Sequence, residues 1–198
     1  MAEIDAKLVQ KLRKMTGVGM MDCKKALKET EGDIEAAVDY LRKTGIAKAA
    51  KRSDREATDG RVHSYIHPGA KVGVLVEINS ETDFVARTDD FIEFCNDIAM
   101  HIAAKDPLAV TVEEIPDETI EREKAIYKEQ ALATGKPEKF IDKIVEGKLE
   151  KFYDEKVLLR QAFVKNTEKS INDLLMDLIA KLGENIQVAR FARFKIGE

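Results

Sequence analysis

At about Arg61 the spacing of apolar residues changes from the three-and-four rhythm of a helix to the two-residue rhythm of a strand. Before it, Ile4, Leu8, Leu12 and Met15 recur at helical intervals behind Asp5, a residue type that caps helices. After it, Val62, Ser64 and Ile66 alternate with Arg61, His63 and Tyr65. Helical patterns return further on without regular strand–helix alternation. That favours an α+β fold over a doubly wound parallel sheet, with an N-terminal helical bundle followed by a small antiparallel sheet packed by helices.

Residues 4–45 read as three short helices. The first stops at Gly17 and Gly19, and the second runs from about Asp22 to Thr30 with Cys23, Ala26 and Leu27 inward. Gly32-Asp33 starts a third, which carries Ile34, Ala37, Val38 and Leu41 and is expected to end at Gly45. Residues 47–60 are densely charged and lose the apolar period, so they read as a linker. The domain division is thus a three-helix module at 1–46, the linker at 47–60 and an α+β core at 61–198.

Within that core, Pro68-Gly69-Ala70 turns the chain, and Val72, Val74, Val76 and Ile78 share one face of a second strand. Thr88 caps a helix of about Asp89–Lys105 that Asp106-Pro107 ends. Further helices are expected at Asp117–Thr134, closed by Gly135, and at Pro137–Tyr153, opened by proline. Thr167 or Ser170 caps a last helix that runs to Gly183, and Ile186–Ile196 reads as a strand.

Catalytic motifs fail in turn. Gly17-Val18-Gly19 lacks the third glycine of a dinucleotide turn and follows a helix instead of a strand. No glycine-lysine-Ser/Thr triplet marks a phosphate loop, and no serine stands in a nucleophile elbow. His63 and His67 are four apart, which on a strand separates them by about 13 Å, too far to share an ion. They read as exposed strand-end residues. Cys23 and Cys95 are two thiols far apart, expected to be reduced and packed. No enzyme activity, catalytic residue, metal or cofactor is expected.

A net charge of −4 argues against generic nucleic-acid binding, and no apolar run reaches the roughly 18 residues of a membrane span. The opening MAEIDAKLVQKL has acids early and no apolar stretch, so no secretion signal is expected and the expected compartment is the cytoplasm.

The segment Ser80–Arg87 stands apart. It follows directly on a strand and precedes a capped helix, with Phe84 between Asp83 and Arg87. Phe84 either folds back under the hairpin or projects as an aromatic wedge beside a carboxylate, a frequent build for an interface hot spot. Spacing leaves both open.

Two long stretches carry a resemblance. LRKMTGVGMMDCKKAL, Leu12–Leu27, and EINSETDFVAR, Glu77–Arg87, resemble the signature segments of the elongation factor Ts family. GDIEAAVDYLRKTG, HIAAKDP, ATGKPEKFIDKIVEGKLEKF and VARF extend the likeness over essentially the whole chain. The resemblance implies a ubiquitin-associated-like bundle, an α+β core, and guanine-nucleotide exchange on the translational GTPase elongation factor Tu. By position, it implies that Thr82, Asp83, Phe84 and Val85 disturb the GTPase's magnesium site. It also implies partner contacts at Arg13, Met20, Lys24, Val72, Gly73 and His101. Met21 is expected to pack inward.

The chain departs from longer members, which carry two related copies of the core subdomain and a protruding helical hairpin. Here the hairpin Arg61–Asn79, the TDFV turn and the HIAA helix occur once. One copy leaves sheet surface uncovered, so a homodimer is expected. The alternative reading is an adaptor, a ubiquitin-associated-like bundle tethered to a scaffold without exchange activity.

Overall fold

A computed structural model describes residues 5–52, 54–134 and 137–197. Ile4 and Gly135, invoked above as a helix position and a helix stop, lie outside the described residues. The fold is α+β. Helices α1 (Ala6–Thr16), α2 (Met20–Glu29) and α3 (Ile34–Ala50) precede a hairpin of β1 (Asp59–Ile66) and β2 (Val72–Ser80). The single turn α4 (Asp83–Ala86) leads into α5 (Asp89–Lys105). Then come α6 (Asp117–Ala133), α7 (Ile141–Lys156), the short pair β3 (Ala162–Phe163) and β4 (Asn166–Ser170), α8 (Ile171–Leu182) and β5 (Ile186–Lys195). A small antiparallel sheet has the order β1-β2-β5, which makes β2 central.

The chain packs into two units, one of Met1–Val62, Glu77–Cys95 and Asp173–Val188, the other of His63–Val76, Asn96–Asn172 and Ala189–Glu198.

In the first unit the bundle closes over Val9, Leu12, Cys23, Ala26, Leu27, Ala37 and Leu41. Asp5 and Asp33 cap α1 and α3, accepting from the Lys7 and Ala36 amides at 3.0 Å. Met15 is exposed, contrary to the helical stripe assigned to it. The inward row is Val9 and Leu12 with Leu8 partly buried, and its next step falls on Thr16, whose hydroxyl donates to the Leu12 carbonyl at 2.9 Å.

Gly45 does not end α3, which continues to Ala50. A Cβ at Gly45 would stand 2.9 Å from the Ala180 Cβ, so the glycine admits close approach of α8. The charged segment that follows is tied down. Arg52 donates to the Ile179 carbonyl at 3.4 Å, and the Asn185 side-chain Nδ2 donates to the Arg55 carbonyl at 2.6 Å.

In the second unit, His101, Ile102, Leu158 and Phe163 are buried, and Ala109, Ile115, Leu149, Tyr153 and Val157 form one apolar cluster. Proline at 137 opens only a short 3-10 turn, Glu138–Phe140, and α7 proper starts at Ile141. Thr167 lies within β4 and caps nothing, since α8 begins after Ser170.

Along β2 the expected alternation holds, with Val74, Val76 and Ile78 buried and Leu75 exposed. On β1 it is inverted. Val62 and Ile66 face solvent while His63 and Tyr65 are half-buried, so His63 is not an exposed residue. The side chains β1 turns inward are amphipathic ones, able to bury a ring body and keep a polar tip satisfied.

Candidate partner-binding site

The tip Thr82–Val85 forms the single turn α4 directly after the central strand. Four residues cannot sustain a helix alone, so the turn depends on neighbours. Val85 and Ala86 are buried beneath it. Thr88 donates its hydroxyl to the Val85 carbonyl at 2.8 Å and accepts from the Phe91 amide at 3.3 Å, which joins the turn to α5. Ser80, fully buried, donates to the Thr82 carbonyl at 2.9 Å.

Above this base Phe84 is 80% exposed. Of the two conformations open from spacing, the outward one is adopted. Beside it, Arg87 reaches back to Asp83 with 2.6 Å between guanidinium and carboxylate. A large aromatic ring in water is unfavourable by itself. Here it is presented on a turn fixed by hydrogen bonds and a buried underside.

Within the same unit, the α1–α2 corner carries Arg13, Met20 and Lys24, all exposed. Gly17 ends α1 in a left-handed conformation, and the Cys23 thiol donates to the Val18 carbonyl at 3.5 Å, closing the Gly17-Val18-Gly19 corner from inside. Burial pushes the Cys23 thiol above its ordinary range and that of Cys95 up to about 12, so both stay protonated. Both are free and buried. Met21 is 77% exposed, which overturns the inward packing expected of it. Cys23, Ala26 and Leu27 set the inward stripe of α2, Met21 falls on the opposite side, and Met20 is exposed as the first residue of the helix. The flexible, polarisable side chains of Met15, Met20 and Met21 suit an adaptable protein contact.

In the second unit Val72 and Gly73 line an open groove of about 620 Å³ with Ile66, Leu75, Phe194 and Ile196. A Cβ on Gly73 would stand 3.0 Å from the Ile66 side chain, so only glycine leaves that floor undisturbed. His101 is fully buried. Its Nδ1 accepts from the Val164 amide at 3.3 Å, which places the proton on Nε2, donating to Gln161 Oε1 at 2.9 Å. Gln161 in turn donates to the Glu155 carbonyl at 2.6 Å. Desolvation lowers the His101 pKa, so it is a neutral ring with both nitrogens used.

Among the described residues no cluster of three or more His, Cys, Asp or Glu side chains could hold a metal ion. No described helix is long and apolar enough to cross a membrane.

Glu184 and Asn185 were not among the residues singled out from sequence. Glu184 accepts from the Thr82 amide at 3.0 Å and from its hydroxyl at 2.7 Å, and Glu81 accepts from the Asn185 amide at 2.6 Å. They are about a hundred positions from the tip, and the only local signal was a polar pair right after the Gly183 helix stop.

The family model described as Elongation factor TS matches residues 7–198. Elongation factor Ts of Desulfosudis oleivorans is 54% identical over 198 residues, covering 100% of both chains. That of Geobacter sulfurreducens is 58% identical over 98% of this chain and 90% of its own. That of Thermosipho melanesiensis is 56% identical over 98% of this chain and 100% of its own. With a match across nearly its whole length and relatives above half identity end to end, this chain belongs to the elongation factor Ts family of translation elongation factors.

Proposed function

We propose that this chain binds elongation factor Tu carrying GDP and accelerates release of the nucleotide, with Phe84 as the inserted group. The observation that carries the reading is Phe84, 80% exposed on a turn held from beneath. A translational GTPase holds GDP through its phosphates and a Mg²⁺ ion whose geometry is strict. A partner that binds the empty form more tightly than the GDP form must weaken GDP binding by the same factor. Phe84 enters between elements of the GTPase domain and displaces groups that order the metal's water shell. Asp83 steadies the insertion, with Thr82 and Val85 as its frame. No bond is made or broken by this chain, so no cofactor or metal of its own is needed.

In this reading residues 1–46 anchor, residues 47–60 connect and residues 61–198 carry the tip and a dimer face. Arg13, Met20 and Lys24 supply binding energy away from the metal site. Val72 and Gly73 add contact on the core. His101, buried with both ring nitrogens bonded, acts by holding the second unit in shape and not by touching the partner.

The groove-bearing sheet face supports pairing of two chains. Ile66, Leu75, Phe194 and Ile196 are all exposed there, an apolar surface of the kind that a second copy covers. The protein works in the cytoplasm with its GTPase, binding neither nucleic acid nor membrane.

Stopped-flow release of fluorescent GDP from elongation factor Tu tests the exchange reading. Wild type speeds release, and Phe84→Ala slows it sharply; an unchanged rate for Phe84→Ala removes the wedge. Light scattering tests the dimer, which a stable monomer at micromolar concentration would rule out.

A further inference from the structure

Thr82 occupies the capping position of α4, yet its side chain makes no capping bond to the turn. Instead its hydroxyl and its backbone amide both donate to one carboxylate, that of Glu184, at 2.7 and 3.0 Å. We propose that Glu184 is a positioning residue for the tip: by holding Thr82 with both carboxylate oxygens it fixes the direction in which Phe84 leaves the fold. The proposal rests on the reading of Phe84 as the inserted group.

Three observations support it. Phe84 lies in a helix of one turn, which sets no direction of its own, so tertiary tethers must. The tethers below the turn, Ser80 and Thr88, act on the Thr82 and Val85 carbonyls. Glu184 is the acceptor for Thr82's two donors, and hydrogen bonds to an ionised carboxylate are stronger than neutral ones.

The placement of Glu184 is itself built. Gly183, at φ +83°, ends α8 in a left-handed turn, its amide donating to the Ile179 carbonyl at 2.9 Å. That turn delivers Glu184 to Thr82 and the Asn185 amide to Glu81 at 2.6 Å. Two adjacent residues thus grip two adjacent residues. Just upstream, α8 meets the bundle, where Ala180 packs on Gly45 and the Lys181 side chain covers Gly17. One helix end therefore touches both the anchoring bundle and the tip.

A rigid aromatic enters its partner without an ordering cost, and a loosened one is competent only for part of the time. Losing Glu184 should slow nucleotide release and leave the anchoring contacts intact.

The test uses the full chain with elongation factor Tu carrying fluorescent GDP, and amide hydrogen exchange over residues 82–86. For Glu184→Ala the expected result is about tenfold faster amide exchange there and about tenfold slower maximal GDP release. The half-saturating concentration should move by less than about twofold. Glu184→Gln keeps an acceptor for the amide and a partner for the hydroxyl, and should return release to within about threefold of wild type. Thr82→Val, which removes only the hydroxyl, should slow release by about threefold and serves if Glu184→Ala folds poorly.

Unchanged amide exchange, or a loss that appears only in half-saturation, overturns the assignment. So does equal loss in the alanine and glutamine variants. Slow release by Phe84→Ala with wild-type release by Glu184→Ala overturns Glu184 alone. Wild-type release by Phe84→Ala overturns the reading of the inserted group, whatever the amides report.

Discussion

Phe84 and His101 are both aromatic, and both were drawn into the candidate site by the same resemblance, yet the fold treats them in opposite ways. Phe84 stands in water on a turn whose backbone is gripped at the Thr82 amide, the Thr82 carbonyl and the Val85 carbonyl. His101 is sealed, with each ring nitrogen bonded to a neighbour in its own unit. The first arrangement spends local order on presenting a side chain to something else. The second uses a side chain to keep the interior ordered. Exposure on a rigid base fits the proposed insertion of Phe84, and burial with full hydrogen bonding fits a stabilising role for His101.

That contrast can be broken most forcefully at His101. His101→Ala leaves the Val164 amide and Gln161 without their partner and opens a cavity, at a cost of about 3 kcal/mol. Urea unfolding should show it, while GDP release by the remaining folded protein should stay within about threefold of wild type. A large fall in exchange at full stability would put His101 back among the contacts.

Phe84→Ala should give the mirror image. As a hot spot it is expected to cost about 2 kcal/mol in the exchange transition state, roughly a thirtyfold slower release. Its urea midpoint should scarcely move, because surface truncations usually stay within about 0.5 kcal/mol.

A pH series sharpens the comparison from the side of stability. Burial lowers the folded pKa of His101 below its ordinary 6.5. The unfolded chain therefore takes up a proton first as pH falls. The stabilisation is fully present above about 6.5 and is lost as pH drops through the folded value. Urea midpoints of wild type and His101→Gln should converge as the solution is acidified below that point. A constant difference between them would show that the ring titrates normally.

Smaller effects belong to the exposed charges. Lys24→Ala should weaken binding of elongation factor Tu by about threefold, and added salt should shrink the difference, because rim charges act mainly on association. Arg87→Ala removes an exposed i,i+4 pair with Asp83 and should change stability by less than about 0.5 kcal/mol. A larger effect on exchange than on stability would make Arg87 part of the presented surface.

Much of this was legible along the chain. The caps Asp5 and Asp33, the β2 alternation and the start of α5 after Thr88 all depend on neighbours within a few positions. Such signals survive in a sequence because the interaction is local. The errors share a cause as well. Gly45 carries the mark of a helix stop, but α8 needs the space there, and the helix continues. Met15 and Met21 are apolar, and helical spacing alone could not say which apolar stripe would face the bundle. On β1 the apolar residues Val62 and Ile66 face outward, a choice that the neighbouring layers make.

The tip shows the same division. The sequence by itself determined that Thr82–Val85 would be a turn between a strand and a capped helix, and its motifs determined the family. It did not determine which way Phe84 points. That depends on Glu184 and Asn185, about a hundred residues away in the chain, whose hydrogen bonds to Thr82 and Glu81 exist only once α8 has packed. Local propensity can write a turn. Its direction is set by contacts between distant segments, which close only when the tertiary fold brings the segments together.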